Sequence, residues 1–240
     1  MQLLKNSKFN LWQRPRELRD LAVKAQANIS AEAFLSRGGD FEQKIQEVLV
    51  GTSFAMLFHK IVFPVRVRMA QIHEEATDIE LRSGDGVTYP FEITTVYPPG
   101  YKIRLEYRDG RRPVISKRAF SGEPIPAEWI ADAIVNKTNK VRGKGLRRHL
   151  LVYNNISGGT TNLWRLPQLL CGAEGIWDSI WIIAGIPYCG WISLVSNEAG
   201  LKVSERSEGF ISGGLPTFWG YWIDRWGLKI FDSAGGVYNG

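Results

Sequence analysis

The chain has 240 residues, 44% of them hydrophobic and 22% charged, with 30 Lys and Arg against 24 Asp and Glu. This composition excludes disordered, fibrous and disulfide-rich proteins, because it supports a sizeable core and its two cysteines, Cys171 and Cys189, cannot form a disulfide framework. Residues 1–150 hold 25 basic and 17 acidic side chains, whereas residues 151–240 hold 5 and 7. The split favours a polyanionic partner for the first part.

The first half of the chain contains two predicted helices followed by three predicted strands. Apolar side chains at helical spacing predict helices over residues 17–27 and 40–51, and the second opens on an aspartate, a favourable N-cap. Residues 61–68 end in alternating apolar and basic side chains, which predicts a strand that emerges from the core. Residues 77–81 and 90–96 predict two further strands joined by a Gly-containing turn.

The second half begins with a stretch rich in Pro, Gly and Arg and then returns to regular structure. A helix is predicted over residues 126–137, and short apolar runs predict strands over 150–153, 180–183 and 191–195. The order of elements predicts an α/β fold with a mixed central sheet flanked by helices.

Three segments are expected along the chain. Residues 1–36 form an N-terminal helical segment, residues 37–153 form the core, and residues 154–240 form C-terminal strands with a Trp/Gly-rich extension packed on the core. Residues 1–30 lack a continuous apolar stretch, so they do not resemble a secretory signal. Residues 179–195 are uncharged but broken by glycine and proline, and we interpret them as two buried strands. We therefore expect a cytoplasmic protein without a membrane segment.

Tryptophan is concentrated in the C-terminal extension, with seven of nine residues beyond position 150. Trp219, Trp222 and Trp226, spaced by three and four, predict one apolar helical face. Few positive charges lie among these rings, which argues against stacking on single-stranded bases. We expect this region to pack on the core or to join two copies into a homo-oligomer.

Two acidic side chains lie on neighbouring predicted strands. Asp78 lies in Ala-Thr-Asp-Ile-Glu-Leu, and Glu92 lies in Pro-Phe-Glu-Ile-Thr-Thr, fourteen residues further on. Adjacent antiparallel strands can bring such a pair to one face, where mutual repulsion requires a cation. Mg²⁺ and Mn²⁺ prefer hard oxygen ligands, and Mg²⁺ usually takes one or two carboxylates with a phosphate oxygen. The pair therefore predicts a metal site that activates water against a phosphodiester.

A third acid precedes these strands, at the start of the second predicted helix. Glu42 lies in Gly38-Gly39-Asp40-Phe41-Glu42. Glu42, Asp78 and Glu92 together resemble the acidic motifs of the PD-(D/E)XK nucleases, some of which open this helix on Gly-x-x-Phe-Glu. The resemblance covers approximately residues 37–153 and implies a restriction-endonuclease-like core. It also implies a metal-dependent endonuclease that hydrolyses DNA, with these three acids as catalytic residues.

The sequence departs from the family pattern two residues after Glu92, where Thr94 replaces the lysine. Threonine cannot supply the positive charge that assists the attacking water. Some members of the family carry this lysine on the helix after the motif strands, which here offers Lys137 first and Lys140 second. The alternative is a catalytically inactive nuclease-like module that binds nucleic acid or assembles with a partner.

The same acids also have structural explanations. Asp78 can end a strand, Glu92 can face solvent, and Glu42 can complement the helix N-terminus. If the strand register differs by two residues, or the helix presents another face, Glu80 and Glu47 become the substitutes.

Two basic segments, residues 102–118 and 137–148, flank the predicted site. Such clusters bind a phosphate backbone by counterion release without reading sequence, so we expect nucleic acid, and DNA first, as the partner. The alternative is a solvated loop in a basic protein. The predicted nucleic-acid contacts are Lys102, Arg104, Arg108, Arg111, Arg112, Lys117, Arg118, Arg142, Lys144, Arg147 and Arg148.

Overall fold

The chain divides into two compact units. The first comprises Met1–Ile93 and Gly100–Ser116, and the second comprises Thr94–Pro99 and Lys117–Gly240. Their helices and mixed parallel and antiparallel strands confirm the predicted α/β class. Along the described residues, no helix combines the length and apolar composition that a bilayer crossing requires. The computed structural model describes residues 8–30, 33–34, 39–61, 65–70, 77–98, 126–143, 149–154, 169, 176–184, 190–195, 218–224, 227–231 and 237–239.

The described part of the first unit contains two long α-helices, a short 3-10 helix and a three-stranded antiparallel arrangement in the order β1-β2-β3. Strand β3 ends two residues beyond this unit. The elements are a 3-10 helix Lys8–Asn10, α1 Pro15–Gln26, α2 Asp40–Ile61, β1 Val65–Met69, β2 Ile79–Ser83 and β3 Thr88–Thr95.

Helix α1 begins two residues before its predicted start because Pro15 occupies the first turn, where its fixed φ is favourable. The Glu17 carboxylate accepts the backbone N–H of Arg14 at 2.9 Å and so satisfies a donor at the helix start. Leu18 and Ala22, four residues apart, are fully buried on one face. That face packs on helix α2.

Helix α2 continues ten residues past Gly51, so the predicted end at Gly51 is wrong. Because the helix continues through Gly51, this glycine is not a C-cap. Its lack of a side chain instead allows helix α2 to approach strand β2 closely. A Cβ atom at position 51 would lie 3.1 Å from both Cγ atoms of Ile79. The hydroxyls of Thr52 and Ser53 donate to carbonyls one turn earlier and remain compatible with the helix. The strand predicted over residues 61–68 therefore begins only at Val65.

We expect Gly51→Ala to lower the free energy of unfolding by about 1–3 kcal/mol, because the added methyl overpacks the contact with Ile79. This outcome opposes helix propensity, which favours alanine over glycine by about 1 kcal/mol. Urea unfolding followed by circular dichroism measures the change. Ile79→Val removes the nearest methyl group and should recover part of the loss in the double variant. Additive effects of the two substitutions would contradict the proposed contact.

Buried and more exposed side chains alternate along β1 and β2, whereas Phe91, Glu92 and Ile93 of β3 are all buried. Val65, Val67 and Met69 are buried, whereas the intervening Arg66 and Arg68 are exposed and half-buried. The register pairs Val67 with Leu81 and Leu81 with Tyr89. The predicted strands over residues 77–81 and 90–96 are thus confirmed to within two residues at each end.

The second unit contains one described helix of several turns and six strands in chain order. Strand β4 runs parallel to β5, and the strands from β5 to β9 are antiparallel neighbours. The elements are α3 Ala127–Val141, β4 His149–Asn154, β5 Ser179–Ala184, β6 Gly190–Val195, β7 Phe218–Asp224, β8 Gly227–Phe231 and β9 Val237–Asn239. The interpretation of residues 179–195 as two strands is confirmed.

The helical face predicted for the C-terminal tryptophans is wrong. Trp219 and Trp222 lie in strand β7, whereas Trp226 lies outside the described residues. Aromatic residues favour extended backbone, and glycine at position 220 weakens a helix, so local preference agrees with the strand. The spacing of these tryptophans by three and four residues therefore does not reflect a helix.

Buried polar side chains in the second unit are joined by hydrogen bonds. His149 Nδ1 lies 2.7 Å from Ser179 Oγ, which also accepts the indole N–H of Trp181 at 2.6 Å. The indole N–H of Trp177 donates to Thr138 Oγ1 on helix α3 at 2.8 Å. Burial lowers the pKa of His149 to about 3, so its ring is neutral at physiological pH.

Acidification should destabilise the second unit through His149. The unfolded chain binds a proton near pH 6.5, whereas the folded ring resists protonation until about pH 3, so stability falls as pH drops below 6.5. The slope approaches about 1.4 kcal/mol per pH unit between these values. Urea titrations from pH 7.5 to pH 4 should show a flatter dependence for His149→Gln than for the unsubstituted chain. Identical slopes would contradict the neutral buried ring.

Candidate active site

Lys44 joins two carboxylates in the first unit. Its Nζ lies 2.7 Å from Asp78 Oδ1 and 2.8 Å from Glu47 Oε2. Gln43 donates to the other oxygen of Glu47 at 2.8 Å. The side chains of Asp78 and Glu47 are 13% and 6% exposed, while that of Lys44 is 30% exposed. The ammonium thus pairs with two largely buried carboxylates, while part of the Lys44 side chain remains exposed.

A β-bulge directs Asp78 toward helix α2. Phe91 pairs with Ile79 in the strand register, yet its carbonyl oxygen accepts the N–H of Asp78 at 2.9 Å. Two residues of one strand therefore lie opposite one residue of its neighbour, an arrangement that re-aims a side chain. Asp78 Oδ2 then accepts the N–H of Ile93 at 2.8 Å and replaces a backbone acceptor beyond the bulge.

Burial and charge act in opposite directions on Lys44. Desolvation alone would lower its pKa, but the charges of Asp78 and Glu47 and their hydrogen bonds outweigh it, so the pKa of Lys44 is raised. Burial raises the pKa of Glu47, and the nearby Asp78 charge adds to this effect, while Lys44 and Gln43 oppose it. At neutral pH the ammonium therefore stays charged. It can act as an electrostatic group but not as a general base.

The structure places the other predicted acids differently. A Cβ atom on Gly39 would lie 2.7 Å from Glu42 Oε2, so the Glu42 carboxylate lies at the start of helix α2. The Phe91 ring packs on Phe54 of that helix, with centroids 5.2 Å apart, so alternation directs Glu92 to the opposite face. Glu92 is 2% exposed. Of the predicted trio, only Asp78 adjoins Lys44 and Glu47.

The remaining predicted residues belong to other parts of the chain. Lys137 is half-buried and Lys140 is exposed on helix α3, and Arg142 follows that helix at the surface. The ten other predicted nucleic-acid contacts lie outside the described residues. The substitute Glu80 pairs with Arg68 across the sheet, and the substitute Glu47 is the acid that joins Asp78 through Lys44.

Sequence reasoning did not single out Lys44 as a site residue. Its separation of three residues from Glu47 is typical of an ordinary helix-surface ion pair. The signal that distinguishes it is burial: Ile45 and Val48 flank the pair on the face that packs on the sheet. The 34-residue separation from Asp78 carries no periodic signature.

The Asp78 carboxylate fits a hard metal ion in ligand type. Its Oδ1 accepts a hydrogen bond from Lys44 and its Oδ2 accepts one from the N–H of Ile93. The space between Asp78 and Glu47 is taken by the ammonium, so a metal would bind Asp78 from another side. Among the described residues, no group of three or more His, Cys, Asp or Glu side chains is placed to hold a metal.

Comparison with known proteins gives no relative, since the chain matches no protein-family model, no curated protein and no solved structure. The family resemblance of the acidic motifs stays a prediction.

Lys44→Met should lower the free energy of unfolding by about 2–3 kcal/mol at pH 8, because it leaves Asp78 and Glu47 charged without their cation. The loss should shrink at pH 5, since the pKa of Glu47 rises further without the ammonium and its carboxyl takes up a proton. Urea unfolding at both pH values measures the difference. Adding Glu47→Gln should recover stability at pH 8. An equal loss at both pH values would refute the charge argument.

Proposed function

We propose that the protein is a metal-dependent phosphodiesterase acting on DNA, in which Lys44 supplies the positive charge that Thr94 cannot. The observation that carries the proposal is the 2.7 Å contact between Lys44 Nζ and Asp78 Oδ1. In this contact the ammonium comes from helix α2 and meets the predicted metal-binding carboxylate of Asp78. In the family pattern the lysine would lie on strand β3. The acidic motifs and the net charge of +6 add support.

The chain's own residues divide the chemistry among them. Asp78 would hold Mg²⁺ or Mn²⁺. Glu92, the second metal ligand predicted from the sequence, is turned to the opposite face of β3 and is not assigned to this metal. When bound, the metal polarises the phosphodiester and lowers the pKa of a coordinated water. Glu47 fixes Lys44 and keeps it protonated.

Lys44 has a donor available for substrate. An ammonium carries three N–H groups; within the described part of the chain Asp78 accepts one of them, and Glu47 is in ion-pair contact with the ammonium, so at most two are directed at these carboxylates. The third can donate to a non-bridging phosphate oxygen and stabilise the charge that develops there during hydrolysis. A protonated lysine cannot accept the proton of the attacking water, so its role in this proposal is electrostatic.

The second candidate function is binding of nucleic acid without cleavage. The observation in its favour is that protein donors engage both oxygens of Asp78, the Lys44 ammonium at Oδ1 and the Ile93 N–H at Oδ2. That arrangement gives Asp78 a complete structural role in joining helix α2 to the sheet. Thr94 is consistent with such a module.

Cleavage of labelled linear and branched DNA with Mg²⁺, Mn²⁺ or EDTA separates the two candidates. We expect metal-dependent cleavage, with losses of roughly 10²–10³-fold in Lys44→Gln and at least as large in Asp78→Asn, because each removes a charge at the reacting phosphate. Lys44→Arg should retain more activity than Lys44→Gln. Lys24→Gln, at an exposed position on helix α1, is the matched control and should cleave normally.

Circular dichroism of each variant establishes that it is folded before its activity is compared. Loss of cleavage in Lys137→Gln but not in Lys44→Gln would move the lysine role to helix α3. Absence of cleavage with every metal, together with intact DNA binding, would overturn the phosphodiesterase and leave the binding module.

A further inference from the structure

The sheet face opposite helix α2 carries a cluster of arginines around one aromatic ring. The guanidinium carbon of Arg68 lies 4.8 Å from the centroid of Trp12, and that of Arg82 lies 5.4 Å from it. Both distances are within the range of cation–π attraction. Arg68 is also bound to Glu80, its neighbour across the β1–β2 ladder. The ring therefore gathers two positive charges on one surface.

Backbone pairing extends this cluster into a row of three arginines. Arg66 lies directly opposite Arg82 in the register of β1 and β2. An antiparallel bridge pairs Gln13 with Val67, with hydrogen bonds of 3.0 and 2.9 Å, so the register places Arg14 next to Arg66. Arg14, Arg66 and Arg82 are all exposed. They occupy adjacent positions across three neighbouring backbone segments.

Such a row is unfavourable for the isolated protein. Like charges directly opposite each other destabilise a sheet. Among the described residues, neither Arg66 nor Arg82 has a carboxylate within ion-pair distance. Arg82 lies over the Trp12 ring and its Nε donates to the carbonyl oxygen of Gly86 at 3.4 Å, and neither contact neutralises its charge. A polyanion would offset the repulsion of all three side chains at once.

We propose that Arg14, Arg66 and Arg82, which the register places side by side, bind the phosphate backbone of nucleic acid. Neighbouring strands are about 4.8 Å apart, so the row spans about 10 Å. A nucleic-acid strand presents closely and regularly spaced phosphates, so a row of this length can contact more than one of them. Planar guanidinium groups also suit bidentate contact with phosphate oxygens. The contact reads no base, because phosphate groups carry no sequence information.

A phospholipid surface fits this row less well. Binding to a membrane interface draws on apolar side chains that enter the acyl region along with the cations. Here the aromatic ring lies beneath arginines, and its side chain is half-buried. Guanidinium groups at adjacent positions across a sheet favour a regularly spaced polyanion. The surface shares only its ligand class with the proposed function, because it lies on the sheet face away from Lys44, and its test requires no cleavage.

Fluorescence anisotropy of labelled single-stranded and duplex DNA in EDTA, from 50 to 200 mM salt, measures this binding. Arg66→Gln/Arg82→Gln should weaken affinity roughly tenfold and reduce the slope of log affinity against log salt by about 1.4–1.8, the value for two lost phosphate contacts. Trp12→Leu keeps every charge and should weaken binding about two- to fivefold, because the cation–π contacts are lost.

Arg16→Gln/Lys24→Gln is the control for net charge. It removes the same two charges from exposed positions on helix α1 and should change affinity less than about twofold. If both double variants weaken binding equally, the affinity depends on the net charge of the protein and not on the arginine row, and the proposal is overturned. Binding to phosphatidylserine vesicles but not to DNA, lost in the Arg66/Arg82 variant, would assign the surface to a membrane and overturn it also. EDTA prevents metal-dependent turnover, so a failure of the proposed phosphodiesterase leaves this result readable.

Discussion

The ammonium of Lys44 is the interaction that joins helix α2 to the sheet of the first unit. Desolvation opposes its charge, and two carboxylates reverse that effect at 2.7 and 2.8 Å. Removing one member of such a set leaves the others charged in a poorly solvated place, so the three side chains depend on each other. Around them the packing is apolar, with Gly51 against Ile79 and Phe54 against Phe91. The polar contact fixes the position of a helix that apolar packing alone would hold less specifically.

Asp78 has two roles, one structural and one in the candidate active site, that its sequence motif alone does not distinguish. Its carboxylate accepts a backbone N–H as a structural group would, and it also holds a charged lysine as an active-site acid would. Both follow from one irregularity, the bulge at the start of β2. The same strands carry the arginine row on their other face, because alternation sends apolar and basic side chains of β1 to opposite sides. A catalytic proposal and a binding proposal thus rest on one small sheet.

Periodicity predicted most helices and strands because burial of one face leaves a repeating trace in sequence. It failed at Gly51, where a residue that usually ends helices instead permits close packing, and at Trp219 and Trp222, where helical spacing occurs in a strand. The candidate site was predicted only in part. Asp78 was found from its motif, but its contact with Lys44 spans 34 residues and depends on a bulge that no local pattern encodes.

The β2–β3 hairpin is held at both of its ends. At one end Gly86, with a φ of 87°, closes the turn, and at the other the bulge and the Asp78 carboxylate interrupt the ladder. A strand that slid by one residue would have to break both arrangements and reverse its buried and exposed faces. Extra residues inserted in the turn would therefore lengthen the loop, while the opposite end of the hairpin, which carries Asp78, would keep its position. The turn is accordingly the natural point for attaching a reporter group or a peptide tag to this unit.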